Sequence, residues 1–249
     1  MSMPQVIVTG ASKGIGLATA EVLLEVYGAK VVSISRSMTP ELEALKAKFG
    51  DKLVTVLGDI TEPEVSLEAL KALPSPTALV LNAAISIFGR VDKYVADDWR
   101  KTFELNVFSL FNTLVPAIPA LRENKGRVIF VSSGSAVGKT AGMASYNASK
   151  AAMNAVVRTF ANEEPDIASF AVHPGMVETQ MQKHFLEVAP TYLNPAEAEF
   201  VAEVHASGKL VKPEDSGYVL ASLAVKGSPE LSGQFFFWDS PEAVPYMKK

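Results

Sequence analysis

VIVTGASKGIG, residues 6–16, decides the fold of this chain. Val6, Ile7 and Val8 run into a turn with glycines at 10, 14 and 16, and an apolar helical pattern follows from about Ile15 to Tyr27. A short β-branched run bounded by glycine reads as a buried strand. Glycine lets the backbone turn tightly and approach a ligand closely, and the N-terminus of the next helix offers free N–H groups to phosphate. The spacing differs from the common G-x-G-x-x-G pattern, and many loops use glycine for geometry alone. Here the turn joins a strand to a helix at the start of a βαβ unit, which is where a dinucleotide-binding turn belongs.

The same alternation continues outward. KVVSIS (30–35) reads as a strand and PELEALKAKF (40–49) as a helix; LVTVLG (53–58) is a strand followed by a short helix over 62–72. ALVLNA (78–83) precedes a long helix over roughly 96–121, and RVIFVSS (127–133) precedes the helix that carries YNASK (146–150). IASFAVHPG (167–175) is the sixth strand. The polar, Met- and Pro-containing stretch 178–210 predicts a mobile helical excursion over the substrate pocket. A helix near 213–225 and a last strand, GQFFFW (233–238), complete the pattern. Apolar strands spaced by helices predict a single doubly wound, Rossmann-type α/β domain over 1–249, with a parallel seven-stranded sheet covered on both faces.

With 249 residues, 48% of them hydrophobic, the chain can bury a substantial core. It has no cysteine, which excludes disulfides, zinc–thiolate sites and thiol catalysis. His173, His184 and His205 never stand at metal-ligand spacing, so no metal is expected. A net charge of −4 argues against nucleic acid as a partner. MSMPQVIVTG lacks the basic start and apolar stretch of a secretory signal, and no apolar run reaches the roughly 18 residues that span a bilayer. These features predict a soluble, cytoplasmic protein with no membrane partner.

The cofactor class is read at the end of the second strand. A fold that prefers NAD places an acid there, about 20 residues past the glycine turn, for the ribose 2′-hydroxyl. This strand ends Ser35-Arg36, with no carboxylate, and Lys13 adds a second cation inside the turn. Most such cations are merely surface residues. Two of them beside a missing acid favour the 2′-phosphate of NADP(H). Tyr146 and Lys150 lie four apart on one helix face. They are either a solvated pair or an acid–base pair with a tuned pKa.

TGxxxGxG in the first turn, Asn82-Ala83 after the fourth strand, Ser132-Ser133 ending the fifth, YxxxK and Pro174-Gly175 occur in this order. Together they resemble the short-chain dehydrogenase/reductase family over about residues 4–238. The second half is similar to the sepiapterin reductase and benzil reductase-like group in NEEPDIASFAVHPGMVETQMQ (162–182), SGKLVKPEDSG (207–217) and LSGQFFFWD (231–239).

The resemblance implies that Tyr146 donates a proton to a carbonyl oxygen and that Lys150 lowers its pKa and holds the nicotinamide ribose. Ser133 would hydrogen-bond the substrate oxygen, and Asn106 would position a water. Gly10, Ser12, Lys13, Gly14, Ile15 and Gly16 would wrap the phosphates, with Arg36 at the 2′-phosphate. Asp59 and Ile60 would meet the adenine, and Asn82 and Ala83 the cofactor side of the sheet. Pro174, Gly175, Val177 and Thr179 would border the carboxamide and phosphates. The family's Asn-Asn-Ala-Gly reads Leu81-Asn82-Ala83-Ala84, so a methyl stands beside the cofactor path. A phenol needs a shift of roughly three units, about 4 kcal/mol, to reach neutrality. A unit charge at ~4 Å supplies about that at an effective dielectric of 20.

The substrate follows from two further observations. Asp239 holds the place of an aspartate that anchors the pterin in the sepiapterin pattern, although a strand-ending aspartate commonly just faces water. The loop 134–145 contains no aromatic residue, so a flat pterin lacks a wall there. The favoured substrate is therefore a small carbonyl compound, an α-dicarbonyl such as a benzil-like 1,2-diketone, reduced by NADPH to one hydroxyl. The alternatives are a sepiapterin-type pterin reductase, a hydroxysteroid or sugar-alcohol dehydrogenase, and a non-catalytic NADP-sensing regulator. Ala148, Ala151, Ala152 and Ala155 form a small-residue face for the sheet or for a second subunit. With the family habit, they predict a homodimer or homotetramer.

Overall fold

The computed structural model describes residues 3–248. Seven β-branched or aromatic runs become β1 (Gln5–Thr9), β2 (Lys30–Ser35), β3 (Leu53–Leu57), β4 (Ala78–Leu81), β5 (Arg127–Val131), β6 (Ala168–His173) and β7 (Phe235–Phe237). They form one sheet in the order β3-β2-β1-β4-β5-β6-β7, paired in parallel throughout. The helices are α1 (Gly14–Glu25), α2 (Pro40–Phe49), α3 (Pro63–Ala72), α4 (Ala96–Phe103), α5 (Ser109–Glu123), α6 (Ala144–Glu163), α7 (Gln180–Tyr192), α8 (Pro195–Ala206) and α9 (Pro213–Lys226).

Side chains alternate along a strand, so each strand feeds two cores. Val6 and Val8 join Leu23 of α1, Leu42 of α2 and Leu220 of α9 on one face. Ile7 joins Ala69 of α3, Leu114 of α5 and Val157 of α6 on the other. The helices α1 and α9 touch through Gly217, where a Cβ would stand 2.9 Å from the Ala18 Cβ.

The predicted long helix over 96–121 is jointed. A five-residue π-helical turn, Glu104–Phe108, separates α4 from α5. The whole run Ala96–Glu123 is long and apolar enough to cross a membrane by composition, contrary to the expectation from sequence. Half of its apolar window is buried, and Leu110, Leu114 and Leu121 belong to the second core, which accounts for the hydropathy.

The stretch 178–210 forms two capped helices. Thr179 caps α7 by accepting from the Gln182 N–H at 3.2 Å. Asn194 and Glu197 make a reciprocal capping box at the start of α8. Neighbouring β1 and β4 send their chains to opposite faces of the sheet. This opens a crevice at their C-terminal ends, the place where open α/β sheets bind ligands.

Candidate active site

A cleft of about 940 Å³ occupies that crevice. Its phosphate end is the glycine turn, where Gly10 (φ +68°) and Gly14 (φ +56°) adopt the left-handed conformation that favours glycine. Gly16 is required for close approach: a Cβ there would stand 2.4 Å from the Gly10 carbonyl oxygen. Asn82 braces the turn, donating through Nδ2 to the carbonyls of Thr9 (3.0 Å) and Gly10 (3.1 Å). Its amide therefore holds the turn's shape, and Asn82 itself lines the cleft. The first turn of α1 carries no acid and no side-chain cap. Its N–H groups are left for an anion, as a dinucleotide phosphate requires.

Exposed Arg36 borders the cleft at the end of β2. Lys13 bonds the Gln180 side chain at the start of α7, tying the turn to the helical excursion. Asp59 accepts from the Thr61 N–H at 3.0 Å, and Asn112 Nδ2 donates to the Ile60 carbonyl at 3.2 Å, fixing the edge of the cleft where the adenine is expected. On the opposite wall Gly175 has φ +90°, and a Cβ there would meet Trp238 Nε1 at 2.8 Å. Val177 is buried and pairs with Val211. Thr179 lies against Gly14, whose added Cβ would meet it at 3.2 Å. Ser12, Ile15, Ala83 and Pro174 also line the cleft.

At the other end stand Ser133, Tyr146 and Lys150. Ser133 follows β5 in extended conformation, its Oγ accepting from the Ser135 N–H at 3.1 Å. Lys150 is buried and donates to the Val131 carbonyl at 2.7 Å. Its Nζ lies over the Tyr146 ring, 5.8 Å from the centroid. Burial holds Lys150 down at about 7. Burial also pushes the Tyr146 phenol up to about 12, with the Ser133 hydroxyl pulling the other way. Burial is the larger influence on both groups, and the Ser133 hydroxyl is what opposes it at Tyr146.

Asn106 lies in the π turn, fully buried. Its Oδ1 accepts from the Ile85 N–H (2.9 Å), and its Nδ2 donates to the Ile85 carbonyl (2.9 Å) and Ser149 Oγ (3.0 Å). Both amide hydrogens are thus used, and the side chain pins the loop after β4. Asp239 is exposed and outside the cleft lining. Trp238 packs under Gly175, and Asp239 follows it in the turn after β7, near enough for its charge to act on His173. Asp239 thus stands beside the cleft rather than in its lining.

His173, Phe88 and Phe185 are among the cleft residues that escaped the sequence reading. His173 lines the cleft beside Gly134, with Nδ1 buried and unpartnered. Burial lowers its pKa to about 4 against the pull of Asp239, so the ring is neutral. The His-Pro-Gly ending β6 was its only signal. Phe88 and Phe185 also line the cleft, from a loop and from α7, and nothing in their local sequence marks them.

The comparisons agree with this geometry. A family model described as short chain dehydrogenase matches residues 4–188. An uncharacterised oxidoreductase of Schizosaccharomyces pombe is 42% identical over 94% of this chain and 96% of its own. A benzil reductase ((S)-benzoin forming) of Saccharomyces cerevisiae is 30% identical over 96% of this chain and 97% of its own. The crystal structure of a short-chain dehydrogenase/reductase from S. cerevisiae superposes with TM-score 0.92 at 30% identity, covering 98% of this chain and all of that one.

Proposed function

The chain belongs to the short-chain dehydrogenase family of NAD(P)H-using oxidoreductases, and from that premise we propose that it is an NADPH-dependent ketone reductase acting on α-dicarbonyls such as benzil-like 1,2-diketones. The observation that carries this reading is the meeting of Ser133, Tyr146 and Lys150 at one end of a cleft whose other end presents Arg36 and no carboxylate on β2. The similarity to a benzil reductase supports the substrate class.

With the cofactor bound in this cleft, its reduced nicotinamide would be the source of the hydride for a carbonyl carbon held at Ser133 and Tyr146. The oxygen then becomes alkoxide, and the Ser133 and Tyr146 hydroxyls are the two donors that meet its charge. A phenol at about 12 stays protonated at neutral pH, so Tyr146 is ready to donate a proton and is a poor base. That favours reduction over alcohol oxidation. Lys150, at about 7 with one carbonyl partner, gains charge when further oxygens such as ribose hydroxyls surround it. Residues 178–210, with α7 tied to the glycine turn through Lys13–Gln180, act as a lid.

The pterin alternative has less support, because Asp239 is exposed and outside the cleft lining. The oligomeric reading is supported by α5 and α6. Phe108 at the end of the π turn and Phe111 and Val115 on α5 are exposed, as are Ala151 and Ala155 on α6, so the alanine face looks outward from the sheet. We read it as a contact between copies of this chain.

The test compares catalytic efficiency for a 1,2-diketone with NADPH and with NADH. A large preference for NADPH is expected. Equal efficiencies contradict the role of Arg36.

A further inference from the structure

We propose that Phe88 and Phe185 form an aryl-binding wall at the substrate end of the cleft, so that preferred ketones carry a flat aromatic ring beside the reacting carbonyl. The inference rests on the ketone-reductase reading above and names its substrate class. The loop 134–145 supplies no aromatic side chain, and the wall comes instead from two segments distant in sequence.

Phe88 lies in the loop after β4, and Phe185 in the second turn of α7. Their rings are stacked, with centroids 5.8 Å apart and planes at 14°. Tyr192 backs them, 6.2 Å from Phe88 at 23°, and does not line the cleft. The His184 ring meets Phe88 edge-on at 5.5 Å. The loop under Phe88 is pinned because Gly89 N–H donates to the Gly142 carbonyl at 2.8 Å. Gly142 in turn carries the Tyr192 ring: a Cβ there would stand 2.5 Å from it.

Phe88 and Phe185 are only half-buried, and they line the same cleft as Ser133 and Tyr146. A half-exposed aromatic surface, rigidly backed, gains by covering itself with another flat ring in offset or edge contact. Met143 and Met176 line the cleft with them, and thioethers adapt well to aromatic faces. These four side chains offer a sugar or polyol no strong hydrogen-bond partner, which separates aryl ketones from sugar ketones at this end.

The experiment uses the full chain and NADPH, with benzil and 2,3-butanedione as paired substrates. The reading is the ratio of their catalytic efficiencies. In Phe185→Leu and Phe88→Leu, which keep apolar bulk and remove the ring face, the ratio of benzil to butanedione should fall about tenfold. Phe185→Ala extends the test if one leucine variant folds poorly, and a thermal melt identifies such a variant. An unchanged ratio in folded variants overturns the wall. Calorimetric binding of benzil to the NADP-loaded protein reads the wall without turnover. If the wild type reduces neither diketone yet binds benzil in a Phe185-dependent way, the reductase reading fails and the wall stands. If benzil does not bind, or binds equally in all variants, the wall fails.

Discussion

Lys150 is buried with a single backbone carbonyl as partner, and that arrangement costs stability. An unfolded lysine titrates near 10.4, whereas burial holds this one at about 7. Between those values the unfolded chain binds the extra proton, so this group makes stability rise as pH increases from about 7 to about 10. Above about 10 the raised Tyr146 phenol works in the opposite sense, since only the unfolded chain then loses that proton. Lys150→Met should therefore melt several degrees higher than the wild type at pH 7, at about 2–4 °C per kcal/mol. The advantage should shrink toward pH 10, and turnover should be lost. Melting curves at both pH values check it, and a lower melting temperature at pH 7 contradicts the account. At this scale Tyr146, Lys150 and Ser133 were legible because their chemistry sits in short, ordered motifs. His173, Phe88 and Phe185 were not, because what defines them is the neighbour that tertiary folding brings. For Asp239 the motif gave a position along the chain, in the turn after β7, and not whether its side chain enters the cleft.

Strand and helix positions were readable because β-branched runs and amphipathic spacing are local signals. The joints between elements were less so. The π turn that carries Asn106 has no mark in the sequence, and it is what aims that amide at Ile85. The contact of α1 with α9 is equally hidden, since Gly217 looks like any helical glycine until Ala18 and Thr19 are seen against it. Gly217→Val should separate the two helices and cost about 1–3 kcal/mol through overpacking. Equilibrium denaturation measures this loss, and a wild-type midpoint contradicts the packing. Asn106→Ala should loosen the loop from Ala84 to Phe88, lowering kcat/KM for an aryl ketone. NADPH binding should change much less, and titration of the two quantities separates them.

For the molecule as a whole, charge placement and surface apolarity carry the remaining predictions. Arg36 lies where a 2′-phosphate is expected, and Ser35→Asp with Arg36→Ala should shift preference from NADPH toward NADH by about tenfold or more, since a carboxylate repels phosphate and accepts a hydroxyl. Kinetics with both cofactors decide it, and an unchanged preference contradicts it. Val115, 55% exposed on α5, should sit in a contact between subunits. Val115→Glu should give a smaller species than the wild type in sedimentation, and a monomeric wild type contradicts that contact. The most direct test of the central claim is the rate of benzoin formation from benzil and NADPH by the wild type and by Tyr146→Phe. The account predicts steady formation of the single-hydroxyl product by the wild type. It predicts a fall of about 10²-fold or more in the variant, with NADPH affinity retained. Near-normal turnover by Tyr146→Phe, or no benzoin from the wild type, contradicts it.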